Sequence, residues 1–198
     1  MASSVFLTAC SGLGDDNTPP PAKLSDVPLT RQVNQLWSTS TGSSMDHQES
    51  LRLHPVIAGQ RIFVSNKAGY VTAVHRENGR KIWQVHLKKI LSSPPAVSEG
   101  LLVLPSLAPQ LVALNAANGK EVWQTPLANQ VFAPPTIYQG RVFVKTVDGQ
   151  VQAFLLKTGQ LLWTYHHGAP LLVLRPSSAP VVGWFFGWGF SCIKCPNG

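Results

Sequence analysis

The sequence predicts an all-β fold built from repeated four-stranded sheets, and three observations predict it. The chain of 198 residues contains 16 glycines and 16 prolines, which is typical of a protein with many turns. The apolar runs between these turns are short and rich in Val, Ile and Phe, which favours strands over helices. The pattern Gly-x-x-x-Trp also recurs at a constant spacing along the chain. Its three occurrences are Gly79 with Trp83, Gly119 with Trp123, and Gly159 with Trp163.

The bulk composition narrows the class of protein. Hydrophobic residues make up 44% of the chain, which is ordinary for a globular protein, whereas charged residues make up 13%, which is below the usual quarter. The net charge of +7 comes from scattered residues whose tightest groups are pairs, such as Lys88 and Lys89. We therefore interpret the charge as a solvated surface and expect no nucleic-acid partner. No apolar run is long enough to span a bilayer.

Three copies of the repeat align without a gap, over residues 55–86, 95–126 and 135–166. Each copy opens with a proline and a short apolar strand, and a turn at a glycine follows. A stronger apolar run then forms the second strand of each copy. The first strands read VIA, AVS and TIY, the turn glycines are Gly59, Gly100 and Gly140, and the second strands read RIFVS, LLVLP and RVFVK.

The second half of each copy predicts two further strands. A turn with Ala68-Gly69 or Asp148-Gly149 precedes the third strand, whereas the second copy has Ala108-Pro109 and should turn differently. The third strand carries an alanine at one equivalent place, and the Gly turn then leads into a fourth strand that carries the tryptophan. The equivalent alanines are Ala73, Ala113 and Ala153.

Four short strands in a repeat of about 40 residues describe one blade of a β-propeller. We expect the Trp of the returning outer strand to fill the gap between neighbouring sheets, and the alanine to leave room near the axis. Other repeats of similar length fit less well. Helical solenoids need longer apolar runs, a WD-type blade should show Trp-Asp, and a kelch blade is longer, at about 50 residues.

The propeller predicted from these copies is incomplete, with boundaries at residues 34–182. Trp37, in "NQLWSTSTG", reads as an outer strand that closes the last blade of a ring. "SSAPVV", with Pro180, starts a fourth copy that then breaks off. Residues 183–198 are rich in Trp, Phe and Cys and lack the closing Gly-x-x-x-Trp. We interpret them as an anomalous tail, for which a shifted reading frame is one explanation.

Cys10 stands in "LTAC", which fits the lipobox of bacterial lipoproteins, in which the cysteine is lipidated. Residues 1–10 would then be a signal remnant, and the Pro-rich stretch 11–33 a tether between anchor and domain. Ser11 is not the Asp that retains lipoproteins at the inner membrane, which favours the outer membrane. Only nine residues precede Cys10 and none is basic, so a chance match is the alternative.

Other residues give little sign of a metal or catalytic site. Cys192 and Cys195 form a Cys-x-x-Cys pair without a second pair or a nearby His, so we expect neither metal nor redox chemistry. The nine acidic residues show no spacing suited to a metal ion or to acid–base work. We therefore predict no enzyme, no cofactor, no metal and no catalytic residues.

Several stretches together resemble the BamB family of outer-membrane protein assembly factors. They are the lipobox, the Pro-rich tether, "LWSTSTGSS", "LHPVIAGQRIFVSNKAGYVTAVHRENGRKIWQV" and "LLVLRPSSAPVV", in that order between about residues 7 and 182. The resemblance implies an eight-bladed, non-catalytic periplasmic lipoprotein of about twice this length, which binds the barrel assembly protein BamA. It also implies a BamA contact through a Leu-x-Leu-Arg loop, which is Leu172, Leu174 and Arg175 here. The alternative is that these leucines pack under the blade and Arg175 is solvated.

We thus expect a lipid-anchored scaffold on the periplasmic face of the outer membrane that supports the folding and insertion of barrel proteins. Two alternatives stay open. The blades also resemble those of dehydrogenases that use pyrroloquinoline quinone (PQQ), so the chain could be a fragment of such an enzyme. The strand edges could instead bind unfolded outer-membrane proteins by β-augmentation.

Overall fold

A computed structural model describes residues 34–42, 53–166 and 179–181. Gln35 and the described residues after it belong to one compact unit. Its regular elements are twelve strands, and within the described ranges no helix has the length and hydropathy to span a membrane. The strands are β1 (Val56–Ala58), β2 (Arg61–Ser65), β3 (Tyr70–His75), β4 (Lys81–His86), β5 (Ala96–Ser98), β6 (Leu101–Ser106), β7 (Gln110–Asn115), β8 (Glu121–Pro126), β9 (Thr136–Tyr138), β10 (Arg141–Lys145), β11 (Val151–Leu155) and β12 (Leu161–Tyr165).

The strands form three antiparallel sheets in sequence order, β1–β4, β5–β8 and β9–β12, which are the first, second and third blades. The predicted propeller blades are thereby confirmed, and the first strand of each blade has the predicted bounds. Strand contacts between sheets join β1 to β5 and β5 to β9. The short first strands therefore lie on the inner side of the array, and the strands that carry the tryptophans lie on the outer side.

The equivalent alanines have a different role from the predicted one. Ala73 lies on β3, the third strand from the inner side, so it does not make room where the blades converge. It pairs with Phe63 on one neighbouring strand and with Trp83 on the other, and it is fully buried. The two aromatic rings meet across it with their centroids 6.0 Å apart, although their strands are two positions apart. A small side chain is needed because a larger one would stand between the rings.

The second blade is buried on both faces because its residues alternate between two cores. Leu102 and Leu104 of β6 pack with residues of the first blade, whereas Val103 between them packs with residues of the third blade. This alternation follows from the two-residue period of a strand. It explains why β6 reads as a continuous apolar run.

The turn with Ala108-Pro109 keeps the strand register that glycine gives elsewhere. Ser106 pairs with Gln110, and Leu127 N donates to Pro109 O at 2.8 Å. In the first blade the equivalent bond joins Leu87 N to Gly69 O at 2.9 Å. Gly69 has a φ of 89°, which proline cannot adopt. The Ala108-Pro109 turn thus differs from the Gly69 turn in its backbone torsion, as expected. The strand pairing and the hydrogen bond to the following connection are the same in both blades.

Residues 34–42 contain no strand, in contrast to the predicted closing strand. The described residues offer no neighbouring strand of the same blade with which this segment could pair. It is nevertheless attached to the first blade, since Gln84 Nε2 donates to Thr41 O at 3.3 Å. At the other end, Thr136 Oγ1 donates to Pro180 O, which attaches the start of the predicted fourth copy to β9.

Candidate functional site

The residues predicted to dock the blades meet in the gap between the first and second blades, which we call the first seam. Trp83 Nε1 donates to Ala116 O at 3.1 Å, across the seam. The indole then lies on Gly119, three residues further along the chain. A Cβ at Gly119 would stand 2.7 Å from the ring, closer than real Cβ atoms approach, and its φ of 72° also favours glycine. The site accepts an indole because the facing residue has no side chain.

The gap between the second and third blades, the second seam, repeats this geometry. Trp123 Nε1 donates to Leu156 O at 2.8 Å, and a Cβ at Gly159 would stand 2.5 Å from its ring. Each tryptophan therefore docks on the glycine of the following blade and not on the glycine of its own motif. The sequence shows both residues, but it does not show that the partners lie one repeat apart.

Trp37 makes with the first blade the same contacts that Trp83 and Trp123 make with the blades that follow them. Its Nε1 donates to Arg76 O at 2.9 Å, and a Cβ at Gly79 would stand 2.3 Å from its ring. The segment 34–42 thus occupies the place that the outer strand of a preceding blade would take.

Trp163 is the fourth member of the series and lies on the last described sheet. Its ring contacts Phe143, with centroids 6.0 Å apart and planes at 48°, much as Trp83 contacts Phe63. Over the described ranges, no carbonyl accepts a hydrogen bond from its Nε1. Leu161 and Tyr165, on the same strand, are about half exposed. The third blade therefore presents a tryptophan in the orientation that docks elsewhere.

The residues whose carbonyls accept these hydrogen bonds were not predicted from the sequence. They are Arg76, Ala116 and Leu156, each three residues before the glycine of its blade. Their side chains share no chemistry, because the bond uses the backbone oxygen. The fixed position relative to the glycine was the signal that could have found them.

The connections between blades lie on one face, together with the turns between the second and third strands of each blade. We call it the connection face, and the opposite end of the blades the turn face. Leu91 N donates to Lys67 O at 3.3 Å, and Leu107 N donates to Ile90 O at 2.7 Å. In the next connection, Val147 N donates to Gln130 O at 2.9 Å. Each connection is therefore fixed to the turns beneath it by backbone hydrogen bonds.

Asp148 is a titratable group of the connection face whose pKa departs from its usual value of 3.8. Burial raises the pKa of this carboxyl, but hydrogen bonds outweigh that effect and leave the pKa lowered. The donors are Thr146, the Asn129 side chain and the backbone N–H groups of Asp148 and Gln150. Asn129 belongs to the connection after β8, so the carboxylate joins that connection to the turn of the third blade. Its environment is that of a structural anchor.

The remaining predicted site residues lie outside the described residues. They are Cys10, Leu172, Leu174 and Arg175. Cys192 and Cys195 also lie outside them. Within the described part of the chain, no group of three or more His, Cys, Asp or Glu side chains is arranged to hold a metal ion.

Comparison with known proteins gives one family. The model of the family described as outer membrane protein assembly factor BamB matches residues 67–189. The BamB of Legionella pneumophila strain Paris is 49% identical over 170 residues, which are 86% of this chain and 44% of that protein. The BamB of Escherichia coli K12 is 31% identical over 106 residues, which are 50% of this chain and 26% of that protein. The chain thus spans less than half the length of these relatives.

Solved structures share the fold. The crystal structure of BamB from Moraxella catarrhalis matches with a TM-score of 0.55 and 21% identity, covering 65% of this chain and 39% of that one. Quinohemoprotein alcohol dehydrogenase from Comamonas testosteroni matches with a TM-score of 0.51 and 21% identity, covering 59% and 21%. Both likenesses concern the architecture of the blades.

Proposed function

Because the chain belongs to the BamB family of outer membrane protein assembly factors, we propose that it is a non-catalytic scaffold of the outer-membrane β-barrel assembly machinery. In this role it binds BamA and supports the folding and insertion of outer-membrane proteins. The observation that carries the proposal is the family match over residues 67–189. That range includes both described seams, with Trp83 on Gly119 and Trp123 on Gly159.

The geometry of the described blades supports a scaffold. Two seams hold three sheets together through docked indoles, and backbone hydrogen bonds fix the connections to one face. A partner that binds several connections would therefore meet a surface that needs little ordering, which lowers the entropic cost of binding.

We place the BamA contact on Leu172, Leu174 and Arg175. Tyr165 pairs with Val151 beside the β10–β11 turn, so β12 ends on the connection face. The stretch that contains the three residues follows β12 in the chain. Leucine supplies apolar anchoring, and arginine, which is enriched in binding hot spots, supplies directed hydrogen bonds.

We also propose that Cys10 carries the lipid and that residues 11–33 tether the propeller to the periplasmic face of the outer membrane. Metabolic labelling with palmitate in a Gram-negative host tests this. We expect label on the chain and none on the Cys10→Ser variant. Equal labelling of both would remove the anchor from the proposal.

The BamA contact is tested in a version extended to the length of the relatives. We expect Arg175→Glu to weaken BamA binding at least tenfold in a pull-down titration, because charge reversal removes a charge-assisted hydrogen bond and adds repulsion. Lys157→Glu is the matched control, since Lys157 is exposed in the β11–β12 turn on the turn face. It should leave binding unchanged.

Unchanged binding in Arg175→Glu, with the control also unchanged, would contradict the proposed contact. A loss in both variants would point to general electrostatics. Circular dichroism of both variants separates these outcomes from unfolding.

The non-catalytic part of the proposal is tested by adding pyrroloquinoline quinone and Ca²⁺, for which we expect neither a spectral change nor dye reduction. Crosslinking from the blade edges tests unfolded barrel proteins as a further partner class.

A further inference from the structure

The last residue of β4 and the connection that follows it carry a group of side chains that we call the basic patch. Its members are His86, Lys88, Lys89 and Ile90. Lys88 and His86 are exposed, and Ile90, a large aliphatic residue between them and the buried Leu91, is 46% exposed. The patch therefore combines positive charge with accessible apolar surface.

Backbone contacts hold the patch in one shape. Lys67 O, in the neighbouring β2–β3 turn, accepts from Leu91 N, and Ile90 O accepts from Leu107 N. Beside them the rings of Tyr70 and His86 stack with centroids 4.2 Å apart and planes at 10°. His86 Nε2 lies 3.0 Å from Ala68 O and therefore carries the hydrogen that this carbonyl accepts. A flat aromatic surface thus lies beside the lysines.

Lys88 has a backbone conformation that lysine rarely adopts, with a φ of 53°. Among the described residues, the other non-glycine residues with positive φ are Glu99 and Gln139. Both belong to two-residue hairpin turns, which require that conformation. Lys88 lies in a longer connection that has no such requirement. Strained residues of this kind occur preferentially at ligand-binding positions.

The next connection shows that the repeat itself does not require these residues. One repeat further on, Lys88 is replaced by Ala128, Lys89 by Asn129 and Ile90 by Gln130. Both connections nevertheless make backbone hydrogen bonds to the turns. The charge and the exposed isoleucine are therefore specific to the first seam.

The basic patch has no carboxylate near it among the described residues of its own face. Of the four acidic residues in the described ranges, Glu77, Glu99 and Glu121 lie at the turn face, and Asp148 lies in the third blade. Lys89 Nζ donates to the amide oxygen of Gln110 at 3.2 Å instead of to an acid. The positive charge of the two adjacent lysines is thus not neutralised by a described carboxylate.

We propose that the basic patch binds an acidic segment of a partner polypeptide, with an apolar side chain of that segment on Ile90 and the Tyr70–His86 stack. An anionic bilayer fits less well, because the adjacent lysines lie at one seam. A membrane would need net positive charge across the face, whereas the second blade is neutral there and the third carries Asp148 together with Lys145. This inference goes beyond the proposed function, since it involves neither Leu172, Leu174 nor Arg175.

Fluorescence anisotropy with the full chain tests the proposal. The probe is a labelled twelve-residue peptide with four carboxylates around a single phenylalanine. We expect Lys88→Glu with Lys89→Glu to weaken its binding at least tenfold. The matched control, Lys120→Glu with Lys157→Glu, makes the same change of net charge at two exposed turn-face residues and should change binding less than twofold.

Two further measurements separate binding from folding and from lipid attraction. Lys88→Gly removes the charge and also the backbone strain, so it should unfold at no lower urea concentration and still bind the probe more weakly. Vesicles containing phosphatidylglycerol should not distinguish the basic-patch variant from the control. Equal losses in both double variants, an absence of probe binding, or vesicle binding lost only in the basic-patch variant would overturn the proposal.

Discussion

The two seams use the same docking contact and fill the space around it differently. In the first seam the accepting carbonyl belongs to Ala116, and Arg61 Nη1 donates to the same oxygen at 3.2 Å. In the second seam the equivalent residues are Leu156 and Leu101, and both pack in the apolar core. A long polar side chain over a small residue in one seam thus corresponds to two leucines in the other.

The side chains that surround the docking contact determine how deeply the indole is buried. Trp123, in the leucine-filled seam, is 9% exposed, whereas Trp83 is half-buried. Trp37, which docks beside Arg76, is also half-buried. The hydrogen bond and the glycine therefore fix where an indole docks, and the neighbouring side chains fix how much apolar surface leaves water.

The largest effect is expected from removing the most buried indole. Trp123→Ala should lower the free energy of unfolding by about 3–5 kcal/mol, the usual cost of truncating a buried tryptophan. Trp37→Ala should cost less, because part of its ring already contacts water. Urea unfolding followed by circular dichroism measures both. Equal losses would show that the docking contact alone, and not burial, sets the stability of a seam.

The role of these surrounding side chains is tested by giving one seam the residues of the other. Leu156→Ala should cost about 2–5 kcal/mol, since it leaves a cavity beside Trp123. Ala116→Leu in the first seam should also destabilise, by about 1–3 kcal/mol, because the new side chain competes with Arg61 for space. Adding Arg61→Leu to Ala116→Leu copies the second seam and should recover part of that loss.

A cycle in which the destabilisations of Ala116→Leu and Arg61→Leu simply add in the double variant would contradict this account, because the two positions would then act independently. The double-variant cycle is measured by urea unfolding at one pH and salt concentration, so that the charge lost with Arg61 affects all four proteins under the same conditions.

A smaller effect isolates the contact between indole and glycine. Gly119→Ala places a Cβ 2.7 Å from the Trp83 ring, whereas Gly100→Ala meets no atom within 4 Å. Both glycines have similar φ values, 72° and 75°, so the backbone strain of about 1–2 kcal/mol is common to both variants. Gly119→Ala should therefore be the less stable of the two by about 1–3 kcal/mol. No difference in unfolding free energy would mean that the ring moves aside freely.

The sequence predicts those features that depend on local pattern. Glycine turns, period-two apolar runs and the constant repeat length were enough to predict the strands. They were also enough to single out Trp83, Trp123 and the glycines of the motif as docking residues. It did not predict which blade each indole contacts, because the repeat makes residues equivalent without ordering them in space. It also led to a wrong reason for Ala73, since the distance of a strand from the axis depends on how sheets pack.

The rims of the two seams, by which we mean their ends on the connection face, differ in their response to pH, and this is the smallest predicted effect. The first rim uses Lys89 and Gln110, whereas the second uses Asp148, whose pKa is lowered in the folded chain. A lowered folded pKa stabilises the fold above the unfolded value of 3.8, and the contribution disappears as pH falls through the folded pKa. Asp148→Asn should therefore be less stable than the parent at pH 7, and the two should converge in acid. Urea unfolding at pH 7 and near pH 3 tests this. A gap that stays constant or widens in acid would show that the carboxylate does not stabilise the second rim through its charge.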